Sequence, residues 1–140
     1  MSSTLRLLAF TALTATALVA LGGQPPELEP PFPDARITVE QLDAYRAKIE
    51  GTSSIECEDT WAHHRKCVEE STFTIWNFTQ NGHAAHPAFS RAVMITPPLS
   101  IGIARSSHFA GDEVAFRAWV AEFRVLDQRQ IEEFKRMFAQ

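Results

Sequence analysis

The sequence predicts an α+β domain with an N-terminal helix, a three- to four-stranded antiparallel sheet, and a long C-terminal helix packed on one sheet face. Three observations carry that reading. Apolar residues recur at helical spacing in two places, one near residue 40 and one after residue 112. The stretch between them is rich in the aromatic and β-branched residues that suit pleated surfaces. Turn signals then divide this stretch into short runs. The chain has 140 residues, 45% of them hydrophobic and 21% charged. That is one domain's worth of sequence, with too much apolar surface for a wholly disordered chain. The net charge of -4 argues against a nucleic-acid partner, which calls for a basic field.

Residues 1–23 read as a signal peptide. Arg6 supplies a positive start, and Leu7 to Leu21 then runs without a charge. A membrane-spanning helix wants about 20 apolar residues, so the run is short for that task. It suits the apolar region of an export signal, with cleavage near Gly22 or Gly23. An uncleaved anchor is the alternative. The expected location is the periplasm or the medium, with no stable membrane span after cleavage. Arg outnumbers Lys ten to three, which hints at a GC-rich bacterial genome. Residues 24–36 hold Pro25, Pro26, Pro30, Pro31 and Pro33. Proline fixes φ and removes a donor, so this stretch reads as a disordered, extended tether. Residues 37–140 then form the single α+β domain.

Within that domain, Thr38 to Glu50 reads as a helix. Thr38 and Gln41 match a capping box, and Ile37 with Leu42 a hydrophobic staple. Leu42, Tyr45 and Ile49 share one face. Gly51 offers a stop, expected at positive φ. Ser54 to Arg105 reads as β-structure. In the run Ser71 to Thr79, Phe73 and Ile75 point one way and Trp76 and Phe78 the other. Either both sheet faces are covered or a bulge switches the register. Phe89 to Thr96 is a further strand, ended by Pro97-Pro98. Leu99, Ile101 and Ile103 then alternate with small residues, so the last two strands form an antiparallel hairpin. Asp112 caps the final helix, which carries Phe116, Val120, Phe123, Ile131, Phe134 and Phe138 at helical spacing, flanked by Trp119 and Leu126. Running to Phe138, it is about 40 Å long at 1.5 Å per residue. Its aromatic end is expected to overhang the sheet, giving a monomer or a weak homodimer.

Cysteines and histidines are the chemical candidates. Cys57 and Cys67 are the two cysteines, and an even count in an exported chain reads as one disulfide. The loop they close also holds His63 and His64, so a zinc site is the less favoured alternative. A Cys-X-X-Cys motif is absent. The segment from Phe78 to Ala88 contains the Asn81-Gly82 turn signal, then His83 and His86. Two imidazoles at this offset can converge on one cation, and His108 precedes the last helix. His83, His86 and His108 would suit zinc or copper. The favoured reading is that His83 and His86 hydrogen-bond backbone carbonyls and hold the loop shape, with no cofactor. The residues Phe78, Thr79, Gly82, His83, Ala85, His86 and Pro87 resemble a group of small exported proteobacterial proteins of unknown function. Those proteins share a Gly-His-x-Ala-His-Pro loop, and the resemblance implies export without an activity.

No Gly-x-Ser-x-Gly elbow and no phosphate-binding glycine loop appears. The expected function is a non-enzymatic periplasmic or envelope module that binds a protein or envelope component. A metal-binding protein using His83 and His86 is the alternative.

Overall fold

The computed structural model describes residues 28–140; the expected signal peptide and the first part of the proline-rich stretch lie outside them. Helix α1 spans Val39–Glu50. Five strands follow: β1 (Glu56–Asp59), β2 (His64–Glu69), β3 (Thr74–Thr79), β4 (Ala88–Ile95) and β5 (Gly102–Phe109). They form one antiparallel sheet in sequence order. Helix α2, Glu113–Phe138, closes the chain. The α+β class holds, and the expected count of three or four strands is corrected to five. β1 reads Glu-Cys-Glu-Asp and β2 carries three basic residues in a row. Such strands show no apolar alternation and escape a hydrophobicity reading.

The capping box of α1 is formed. Thr38 Oγ1 accepts from Gln41 N at 3.1 Å, and Gln41 Oε1 accepts from Thr38 N at 2.9 Å. Gly51 ends the helix at φ -83°, not at the positive φ expected of it. Leu42, Tyr45 and Ile49 are buried as the spacing requires.

Each sheet face carries a buried cluster under a helix, which resolves the ambiguity in β3. The pairing of β2 with β3 runs without a bulge, with Cys67 opposite Trp76 and Val68 opposite Ile75. Trp76, Phe78 and Phe89 lie on one face, in one buried cluster with Leu42, Tyr45 and Ile49 of α1. Phe73 is not in the strand. It sits at φ 51° and is exposed. On the opposite face, Ala88, Phe109, Phe116 and Trp119 form a second cluster beneath α2. Strand β5 begins later than expected, so Leu99 is exposed in the preceding turn.

Residues 28–36, expected to be part of a disordered tether, lie against the first cluster. Leu28 is buried and Phe32 packs on the same core. The reason is polar as well as apolar. Tyr45 Oη donates to Leu28 O at 2.8 Å, Phe109 N donates to Ala35 O, and Ile37 N donates to Phe109 O, both at 2.9 Å. Prolines lack donors, but the carbonyls around them still accept.

Cys57 and Cys67 form the expected disulfide, directly opposite each other across β1 and β2. The closed loop is short, so its entropic stabilisation is at most about 3 kcal/mol.

The buried phenol of Tyr45 joins three segments, since it also accepts from Trp76 Nε1 at 3.0 Å. Burial pushes its pKa up to about 12. The neutral phenol is the form the fold selects, so this stability is complete below pH 10 and is lost as pH rises toward 12. Tyr45→Phe orphans Leu28 O and Trp76 Nε1. It is expected to lower unfolding free energy by about 1–3 kcal/mol and to remove the decline above pH 10. Denaturant titrations at pH 8 and pH 11 check both effects.

Candidate functional site

The face of the sheet beneath α2 holds two features of chemical interest, an imidazole cluster at one end and a groove beside the helix. The cluster forms where two turns meet. His63, at φ 57°, leads into β2, and His64 is the first residue of that strand. The turn after β3 returns through Gly82, at φ 97°. That conformation favours glycine, and a Cβ there would also sit 3.4 Å from the His63 ring. Gln80 N donates to His63 O at 2.8 Å. Gln80 Nε2 and Arg65 Nη1 both donate to Asp59 Oδ1, at 2.8 and 2.9 Å. Those bonds, that from Arg65 first, hold the Asp59 carboxyl below its ordinary value. Gly111 then lets the chain pass the same turn, because a Cβ would lie 2.6 Å from His86 O.

The docked turns bring His64 and His83 to a ring separation of 4.9 Å. Both pack on Trp119 of α2, at 5.4 and 5.2 Å. Burial lowers the pKa of His64, and the nearby His83 and His63 lower it further. His83 is lowered by burial first, with Glu122 opposing and His63 and His86 assisting. His64 Nε2 is buried without a hydrogen-bond partner.

The three histidines singled out by sequence do not converge. His83 Nδ1 accepts from Ala85 N at 3.1 Å. Its neutral ring therefore carries the proton on Nε2 and has no lone pair free for an ion. His86 Nδ1 lies 2.9 Å from Thr79 Oγ1, which accepts from Ala88 N and donates to Ala88 O. These bonds shape the turn. His108 is on the other face of the sheet, between Phe32 and Phe89. Its Nδ1 donates to Asp34 O at 2.9 Å, and burial lowers its pKa. Among the described residues no group of three or more His, Cys, Asp and Glu is arranged to hold a metal ion.

The groove was not foreseen. α2 packs principally on β5, and its position is fixed by Arg105. The Arg105 guanidinium donates to both Asp127 oxygens, at 2.7 and 2.6 Å, and to Ser90 Oγ at 2.8 Å. It also lies 4.1 Å from the Phe123 ring centre. Beside this pin, a cavity of about 310 Å³ opens between α2 and strands β2 to β4. Lys66, Ile75, Asn77 and Ala92 line it from the sheet, and Phe123, Leu126, Arg129 and Gln130 from the helix. Sequence reasoning marked Phe123 and Leu126 as part of the helix stripe. It missed Lys66 and Asn77, whose signal is the period-two phase they share with His64 on neighbouring strands.

Comparison with protein-family models, with curated proteins and with solved structures finds no match to this chain. The disulfide is compatible with an exported protein. Among the described residues no helix is long and apolar enough to cross a membrane.

Each depressed histidine selects its neutral form in the folded state. That stability is complete above pH 6.5, the ordinary value, and is lost as pH falls through the lowered folded values. Unfolding free energy is therefore expected to decline as pH falls below 6.5. His64→Gln and His83→Gln should each flatten that decline, read by urea unfolding at stepped pH. An unchanged pH slope in both variants would contradict the assignment.

Proposed function

We propose that this chain is an exported, non-enzymatic binding module whose contact surface is the groove beside α2. The observation that carries the reading is that α2 is pinned over one part of its sheet face and leaves an open cavity over the rest. The lining offers apolar surface, amides and cations. Its carboxylate, Asp127, is engaged by Arg105, so the groove supports contact and orientation, not proton transfer. Export is supported by the apolar run before Gly22 and by the disulfide. In this reading the partner is a protein or another component of the envelope.

Native mass spectrometry of the chain recovered from an exporting host tests the proposal. The expected spectrum shows a chain cut near Gly22 or Gly23, closed by one disulfide, carrying a non-covalent adduct. Filling the groove with Asn77→Trp should remove that adduct, whereas His83→Ala with His86→Ala should retain it. One transition metal per chain, lost in the double histidine variant, would overturn the proposal and favour a metal-binding protein.

A further inference from the structure

The groove has a chemistry specific enough to name a ligand class, and this step rests on the binding-module reading. Its floor and wall are apolar at Ile75, Ala92, Phe123 and Leu126. Two cations line it, Lys66 from β2 and Arg129 from α2. Neither makes an ion pair among the described residues. The nearby carboxylates leave them so. Asp127 is held by Arg105, and Glu132 lies by Lys135. Glu58 stands opposite Lys66 in the register, and Glu56 and Glu70 line the depression on its other side, but none of the three makes an ion pair with it.

In a chain of net charge -4, the groove lining carries two cations without an ion pair and one carboxylate, which Arg105 already engages. Such a site concentrates anions. Apolar area supplies the attraction for a hydrocarbon chain, and the cations select the head. The volume of about 310 Å³ is at the lower end of small-molecule sites, roughly 300–1,000 Å³. It suits one short chain. We propose that the groove binds a single-chain amphiphile with an anionic head, its chain on Ile75, Phe123 and Leu126 and its head between Lys66 and Arg129.

The test uses octanoate as the probe, with acetate and octyltrimethylammonium as controls, on the disulfide-closed protein followed by amide NMR. Octanoate is expected to shift resonances around Lys66, Ile75 and Leu126, and binding should weaken as salt rises. Acetate and the cationic amphiphile should bind at least about tenfold more weakly. Lys66→Gln and Arg129→Gln should each weaken octanoate about fivefold, the equivalent of one charge contact, with an otherwise unchanged spectrum. Equal binding of the cationic amphiphile, shifts elsewhere, or no octanoate binding would overturn the proposal. If octanoate fails while the native adduct is still lost in Asn77→Trp, the ligand class falls and the binding module stands. If that adduct is absent as well, both fall.

Discussion

The ion pair between Arg105 and Asp127 anchors α2 on its face of the sheet, and the groove depends on that placement. Both side chains are mostly buried, at 14% and 13% exposure. Taking two charges out of water is expensive, and geometry must offset it. Here the carboxylate receives two short bonds from one planar fork, the guanidinium donates a third to Ser90, and Phe123 covers it. Ser90 Oγ lies in turn 2.8 Å from Ser107 Oγ, joining β4 to β5. Removing one partner would leave a charge stranded, an effect on the order of 3–5 kcal/mol for buried pairs. The contact therefore sets where a long amphipathic helix sits on a sheet that offers it few other polar anchors.

One consequence is asymmetric coverage. Near its start, α2 is sealed by Phe116 and Trp119 against Phe109 and Ala88. Beyond Phe123 its residues are half-buried or exposed, and Leu126, Met137 and Phe138 face solvent to a large extent. On the opposite sheet face α1 and residues 28–37 cover Trp76, Phe78 and Phe89 with aromatic contacts and the Tyr45 bonds, while the far ends of β4 and β5 stay partly exposed at Val93, Ile95 and Ala104. The packed cluster around Tyr45 thus backs the strands that line the open groove. Binding residues on strands backed by a packed core are pre-organised, which lowers the entropy lost when a ligand is held.

Much of the fold was legible because its signals are local. The Thr38–Gln41 box, the Asp112 cap and the aromatic periodicity of α2 each follow from residues within a few positions of one another. The two acidic and basic strands were legible only through the cysteines, whose flanks suggest a stapled hairpin or an Ω-like loop; their bounds were not, since a charged strand is stabilised by what lies across it, here the disulfide and the Arg65–Asp59 bond. The candidate site was harder still. His83 and His86 are close in sequence, so they drew the eye, but the partners that matter to His83 are His64 and Trp119, from β2 and α2. His108 was expected in the loop before the last helix, beyond the end of the β-structure at Arg105. The strand continues to Phe109, and the period of two sends His108 to the α1 face. Lys66 and Arg129 line one groove because α2 is held at Arg105, and no local pattern encodes that.

Part of the α2 face stands open to solvent beside a sealed part. Paramagnetic attenuation by a neutral gadolinium chelate measures this directly. The account predicts strong attenuation of side-chain signals from Lys66, Ile75 and Leu126, with the Trp119 ring and Ala88 methyl left sharp. Equal protection of all five would mean that α2 closes over the sheet, and would contradict the account.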